Sequence, residues 1–89
     1  MKLVVTVVGK DRVGIIATVS QILAENNVNI LSINQNIMDG FFHMILIAEL
    51  SESKMKLLEL QKVLKERGDE INVQIKAQHE DIFNVMHSI

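Results

Sequence analysis

The dipeptide Asp39-Gly40 constrains this sequence more than any other feature, because it separates two long apolar segments, residues 28–38 and 41–50. Both positions of a two-residue β-turn prefer a positive φ angle, which Asp and Gly adopt readily. The sequence therefore predicts an antiparallel hairpin of two long strands. The turn also fixes the register, and the expected pairs are Met38 with Phe41, Asn36 with His43, Asn34 with Ile45 and Ser32 with Ile47.

Before the hairpin, hydrophobic periodicity predicts one strand and one helix. Residues 3–8 form a short β-branched run, which is typical of a strand buried on at least one face. Apolar residues from Ile15 to Leu23 then recur at helical spacing, with polar residues on the other side. We expect this helix to end at Asn26 and Asn27, since asparagine tolerates the left-handed conformation of a helix end.

After the hairpin, a helix and then a strand follow, so each half of the chain has the order strand–helix–strand. Ser51 and Ser53 can cap a second helix, and Gly68 is expected to end it. Residues 71–78 alternate between apolar and polar side chains, which predicts a fourth strand with one face exposed to solvent. The order is β-α-β-β-α-β. Right-handed crossovers then place two helices on one face of a four-stranded antiparallel sheet, an α+β fold of the ferredoxin-like type.

Alternation along the strands assigns each side chain to one face of this sheet. The more apolar set is expected to lie under the helices, and it contains Leu3, Val5, Val7, Leu31, Ile33, Ile37, Phe42, Leu46 and Ala48. The helix-free face then carries Val4, Val8, Ile45 and Ile47 beside polar residues. Ile, Val and Leu make up 31 of the 89 residues, which is a high share for so small a chain. We therefore expect a homodimer, joined face to face or through the edge of the second strand.

Composition excludes several function classes. Nine basic residues against eleven acidic ones leave a net charge of −2, which argues against a general nucleic-acid binder. The open sheet face offers only Phe41 and His43 for stacking on RNA bases. The chain has no cysteine, so disulfides and thiol catalysis are excluded. No apolar run approaches 18 residues, so no membrane span is expected. We expect a cytoplasmic protein.

Three histidines, His43, His79 and His87, are the candidate metal ligands. If residues 79–87 are helical, about 12 Å of rise along the helix separates His79 from His87, and this distance is too long for both to bind one ion. We therefore expect surface or hydrogen-bonded histidines. No close carboxylate pair or Ser/His/Asp order indicates a hydrolase. The sequence predicts no metal, no cofactor and no enzymatic activity.

The first strand and the first helix are connected by residues 9–14, Gly-Lys-Asp-Arg-Val-Gly. The two glycines have the outer spacing of a P-loop, but Ile15 and Ile16 stand where Lys and Ser/Thr are required. Two interpretations stay open. In the first, Asp11 caps the helix and Gly14 eases packing. In the second, free N–H groups at the start of the helix bind the carboxylate of a small ligand, which Gly14 allows to approach the main chain.

Residues 11–16, Asp-Arg-Val-Gly-Ile-Ile, followed by Asn-Val-Asn-Ile at 27–30, resemble the signature of the ACT domain family. The resemblance covers about residues 2–79. The chain looks closest to free-standing single ACT proteins and is similar to modules of the glycine cleavage system repressor and of formyltetrahydrofolate deformylase. The resemblance implies a β-α-β-β-α-β regulatory module that usually dimerises and often binds amino acids at the interface.

The same resemblance implies a ligand site made of Asp11, Gly14, Ile15 and Asn29. The Asp11 side chain would suit an α-ammonium group, and Asn29 could bridge ammonium and carboxylate. Val13 stands where the family commonly has proline, a residue that rigidifies the first turn of a helix.

The last ten residues place Ile82, Val85, Met86 and Ile89 at helical spacing. A helix of this length is not stable alone in water, so we expect it to dock on its own domain or on a partner, with the helix-free face as acceptor. The predicted organisation is an ACT-like domain over residues 1–79 and a C-terminal amphipathic helical extension over residues 80–89.

These features together predict a regulatory module that binds a small amino acid and acts as a homodimer, with a regulated enzyme or repressor as a possible further partner. The alternative is a protein–protein interaction module without a small ligand. In that case the hydrophobic sheet face and the C-terminal helix would dock on the partner.

Overall fold

The computed structural model describes residues 1–51 and 54–86. Its elements follow the predicted order, including the predicted short C-terminal helix: β1 (Lys2–Lys10), α1 (Ile15–Glu25), β2 (Val28–Met38), β3 (Phe41–Leu50), α2 (Lys54–Glu70), β4 (Val73–His79) and α3 (Glu80–Met86). The expected cap at Ser53 and the expected end of the tail at Ile89 lie outside the described residues. None of the described helices is long and apolar enough to cross a membrane.

The four strands form one antiparallel sheet in the order β2-β3-β1-β4, which confirms the ferredoxin-like fold. The hairpin register is the one that the turn predicted, from Met38 paired with Phe41 to Ser32 paired with Ile47. Asp39 and Gly40 have φ angles of 53° and 81°, as a two-residue turn of this kind requires. A β-bulge at Leu31 then shifts the register, so Ile30 pairs with Ala48.

Each connection between a helix and a strand has a local cause. Helix α1 ends where predicted: the Asn26 side-chain amide donates a hydrogen bond of 2.8 Å to the carbonyl oxygen of Ile22, and Asn27 has a φ of 59°. Strand β4 begins two residues later than predicted, because Ile71 and Asn72 form the turn after α2 and Asn72 adopts a φ of 58°. Both turns therefore use an asparagine in the left-handed region.

The hydrophobic core lies between the sheet and the helices α1 and α2. Alternate residues of β1, β3 and β4 form its floor, and the inner faces of the two helices close it. Its buried members are Leu3, Val5, Val7, Ile15, Val19, Ile22, Leu23, Val28, Phe42, Met44, Leu46, Ala48, Leu50, Leu60, Leu64, Val73, Ile75 and Ala77. Only Val28 of the edge strand β2 belongs to this buried set.

The prediction that Leu31, Ile33 and Ile37 lie under the helices is wrong. Their side chains are 48%, 47% and 52% exposed. The register does put Ile33 and Ile37 on the helix side of the sheet, opposite the buried Leu46 and Phe42. However, only the start of β2 packs against the core, through Val28 and Ile30, and an open cleft separates the second half of the strand from the first turn of α1.

The helix-free face is also less open than the sequence predicted. Val8 and Ile45 are exposed as expected, but Val4 is only 3% exposed. Helix α3 lies against β1 and β4, so it covers this end of the face. The exposed side chain of Ile82 shows that part of the apolar side of α3 remains in solvent. The division into a domain of residues 1–79 and an extension of residues 80–89 stays a prediction.

The prediction that Gly68 ends α2 is wrong, because the helix continues to Glu70. Gly68 is buried, and a Cβ atom at this position would lie 2.7 Å from the carbonyl oxygen of Val73 and within 3.2 Å of the Ile75 side chain. The glycine is therefore needed for the close approach of α2 to β4.

Gly68→Ala is expected to destabilise the protein, although alanine favours a helix by about 1 kcal/mol over glycine. The added methyl group would force α2 away from backbone that cannot yield, and we expect a net loss of about 2–3 kcal/mol. Urea denaturation measures this loss. The control is Glu66→Ala on the exposed side of the same helix, which should change the unfolding free energy by less than about 0.5 kcal/mol. Equal stability of both variants would contradict the role assigned to Gly68.

Candidate functional site

The loop between β1 and α1 is tied to two other turns of the protein. The main-chain N–H of Asp11 donates a hydrogen bond of 2.8 Å to the carbonyl oxygen of Gly40, at the tip of the β2–β3 hairpin. The Arg12 Nη1 atom donates to the carbonyl oxygen of Ile71 at 3.4 Å. This second distance is long for an N–H···O hydrogen bond, so the exposed guanidinium group is only weakly held and keeps donors for another acceptor.

Gly14 forms the N-cap of α1 in the left-handed conformation, with φ of 94° and ψ of 0°. No side chain caps the helix, so the interpretation in which Asp11 is the cap is wrong. The reason is geometric: the chain turns at Gly14, three residues after Asp11, and the first helical bond runs from the Thr18 N–H to the Gly14 carbonyl oxygen. The N–H groups of the first turn consequently face the loop without a side-chain acceptor, and they carry the positive end of the helix dipole.

An open cleft of about 470 Å³ lies between this loop, the first turn of α1 and the uncovered half of β2. Three of the predicted site residues, Asp11, Gly14 and Ile15, line it together. The other lining residues are Arg12, Ile16, Ala17, Gln35, Ile37 and Phe42. The cleft thus joins one carboxylate, one guanidinium group and free main-chain N–H groups to an apolar wall.

Asn29 lies outside this cleft. It is exposed near the start of β2 and pairs with Glu49, whereas Asp11 is bonded to Gly40 beyond the other end of β2. The ten residues from Asn29 to Met38 span roughly 25–30 Å of strand. Asp11 and Asn29 of one chain therefore cannot contact the same small amino acid.

Sequence reasoning missed Arg12 and Gln35 as lining residues. The signal for Gln35 was present, because the predicted hairpin register puts it on the same face as Ile33 and Ile37. The signal for Arg12 was its position directly after Asp11, which offers the opposite charges that a zwitterion needs. Neither residue stood out, since both belong to types that are usually solvated.

The histidines behave as surface residues in the described part of the chain. His43 is exposed on the helix-free face, between Val8 and Asn36. The Nδ1 atom of His79 accepts a hydrogen bond of 3.1 Å from the Asp81 N–H at the start of α3. Over residues 1–51 and 54–86 no group of three potential ligands is close enough to hold a metal ion. His87 lies outside these residues.

Comparisons with known proteins identify the family of the chain and agree with its fold. The family model for the ACT domain matches residues 1–78. A UPF0237 protein of Clostridium perfringens is 54% identical over 89 residues, which is the full length of both chains. The structure of an ACT domain protein from Streptococcus pneumoniae superposes with a TM-score of 0.84 at 37% identity, covering 93% of each chain.

Two longer proteins share the fold. A formyltetrahydrofolate deformylase from Pseudomonas putida superposes with a TM-score of 0.80 at 12% identity, and this chain covers 29% of it. A candidate glycine cleavage system transcriptional repressor superposes with a TM-score of 0.75 at 20% identity, and this chain covers 47% of it. The family model and the two relatives of higher identity confirm the resemblance to the ACT domain family. Because the family model spans nearly the whole sequence, the chain belongs to the ACT domain family.

Proposed function

We propose that this chain is a cytoplasmic, non-enzymatic regulatory module that binds a free amino acid and works as a homodimer. ACT domains are typically regulatory ligand-binding modules. The observation that carries the proposal is the cleft in which Asp11, Arg12 and the uncapped start of α1 come together. No other described cavity combines both charges with a helix N-terminus.

The charges of this cleft complement a zwitterion. The Asp11 carboxylate is exposed and suits an α-ammonium group. The N–H groups of Ile15 and Ile16 at the start of α1, together with the weakly held Arg12 guanidinium, suit an α-carboxylate. The left-handed Gly14 has no atom within 4 Å of the position of a Cβ, so a ligand can reach the main chain there.

The two free edges of the sheet differ in a way that favours dimerisation through β2. At the β4 edge, the Gln61 side-chain amide donates a hydrogen bond of 2.7 Å to the carbonyl oxygen of Ala77, so one edge acceptor is already occupied. The β2 edge is eleven residues long and exposes apolar side chains on both faces. Since Met38 and Phe41 close a two-residue turn, the residues Ile33, Gln35 and Ile37 direct their backbone groups outward. A long apolar edge of this kind is a template for pairing with a second strand.

An antiparallel β2–β2 dimer would complete the ligand site. With the two-fold axis near the middle of β2, the start of β2 of the partner subunit, which carries Asn29, lies beside Ile37 in the cleft of the first copy. The bulge at Leu31 turns Asn29 to the helix-free face, beside Glu49, so its side chain would meet a ligand held by Asp11 and the start of α1 across the edge of the strand. We propose on this basis that Asp11, Gly14 and Ile15 of one copy and Asn29 of the other form each site.

A second candidate is a protein–protein interaction module without a small ligand. The observation that favours it is the helix-free face, where Val8, Phe41 and Ile45 are exposed. Such a surface could dock on an enzyme or a repressor. The two candidates differ in their response to free amino acids.

A thermal-shift panel of the twenty amino acids on the intact chain separates them. A ligand at 100 times its dissociation constant adds about 2.7 kcal/mol of stability, and we expect at least one amino acid to raise Tm by at least about 5 °C. The matching D-enantiomer is the control and should raise Tm far less. If no amino acid shifts Tm, the interaction module is the better account.

A further inference from the structure

The cleft beside α1 is divided into a charged end and an apolar end. Asp11 and Arg12 lie in the loop, whereas the rest of the lining comes mainly from aliphatic and aromatic side chains. Ile15 and Phe42 are buried, so they form a packed floor. Ile16 and Ile37 belong to α1 and β2, and they are 37% and 52% exposed. Two aliphatic side chains from different elements thus border the cleft and remain partly in water.

A ligand's side chain extends away from its ammonium and carboxylate groups. With those groups held at the charged end, the side chain must lie along Ile16 and Ile37. A carboxylate placed there would lose water without gaining a cation, and a hydroxyl could pair only with Gln35, the one uncharged polar side chain of the lining. An aliphatic group placed there removes apolar surface of its own and of both isoleucines from water.

We infer that the ligand is an amino acid with an aliphatic side chain of three or four carbons, such as valine, leucine or isoleucine. This inference rests on the proposed function, because it specifies the ligand of the same site. Each buried methylene strengthens binding about fourfold. Leucine has three carbons more than alanine, and the cleft is open on one side. We therefore expect leucine, isoleucine or valine to bind at least about tenfold more tightly than alanine or serine.

Isothermal titration calorimetry of the intact chain with L-leucine, L-isoleucine, L-valine, L-alanine, L-serine and L-glutamate tests the inference. Ile37→Ser should reduce the preference for leucine over alanine by about fivefold to tenfold. Leu58→Ser is the control, because Leu58 is an exposed aliphatic residue of α2 that neither lines the cleft nor lies on β2. The ratio of the two affinities is the readout, since any weakening of a β2-mediated dimer affects both ligands alike.

The outcomes separate this inference from the proposed function. Tight binding of an aliphatic amino acid, with a preference reduced by Ile37→Ser and kept by Leu58→Ser, supports both. Binding of serine, alanine or glutamate as tight as that of leucine overturns the inference and leaves the amino-acid module standing. An unchanged preference in Ile37→Ser also overturns it. No heat of binding with any of the six, together with no shift in the twenty-amino-acid panel, overturns both.

Discussion

Alanine at Asp11 or at Asn29 is expected to weaken binding of the amino acid by at least about tenfold while the fold survives. Loss of a charged hydrogen bond costs about 1.5–3 kcal/mol, so each variant should weaken binding by roughly tenfold to more than a hundredfold. Both side chains are exposed, and the hydrogen bond from Asp11 to Gly40 uses the main chain, so the unfolding free energy should change little. Calorimetric titration measures the affinity, and urea denaturation measures the stability.

Matched controls exist for both substitutions. Asp69→Ala removes an exposed carboxylate of α2, whose salt bridge with Lys65 is on the surface and worth little. Asn36→Ala removes an exposed amide from the other half of β2. Both controls should bind the amino acid like the parent chain. Parental affinity in Asp11→Ala and Asn29→Ala would contradict the proposed site.

Ile33→Lys is expected to convert a dimer into a monomer. Ile33 is half exposed at the free edge of β2, where pairing would bury the rest of its side chain. A lysine at this edge loses that burial in both copies and adds two like charges near the two-fold axis. We expect the dimer dissociation constant to rise about a hundredfold. Sedimentation equilibrium measures this constant.

The control for Ile33→Lys is Leu58→Lys, which exchanges an exposed leucine of α2 for the same charge far from β2. This control should sediment like the parent chain. Two observations would each count against a β2-mediated dimer: a parent chain that is monomeric at high micromolar concentration, and an Ile33→Lys variant that dimerises like the parent.

The hairpin was the most predictable part of the fold, because a short-range rule sets it. Asp39 and Gly40 determine the turn, and the turn determines which residues of β2 and β3 pair. The bulge at Leu31 was not predictable in this way, since simple alternation does not show where one strand carries an extra residue.

The burial of individual apolar residues was less predictable than the pairing of the strands, because burial depends on how the elements pack over one another in the folded chain. The sequence indicates that Ile33 and Ile37 face the helix side, but not that an open cleft separates this half of β2 from α1. Gly68 is a second example. Its role depends on the close approach of α2 to the carbonyl oxygen of Val73, a tertiary contact that local sequence preferences do not indicate. Local patterns thus predicted direction and pairing, and tertiary contacts decided burial.

The candidate site was predictable in its residues and not in its arrangement. The motif around Asp11 and Gly14 indicated a ligand loop, and the structure excludes the capping interpretation because Gly14 itself is the N-cap. The motif also drew attention to Asn29, but it could not show that a whole strand separates Asn29 from Asp11. This separation is the reason for proposing a site shared between two copies.

A mixing experiment tests the shared site most directly. Asp11→Ala and Asn29→Ala chains, neither of which has a site of parental affinity, are mixed and allowed to exchange subunits. A mixed dimer then contains one site with both substitutions and one site with neither. After random exchange, we expect titration calorimetry to recover about a quarter of the parental sites at parental affinity. No recovery, in a mixture that mass spectrometry shows to contain mixed dimers, would contradict a site shared between two copies.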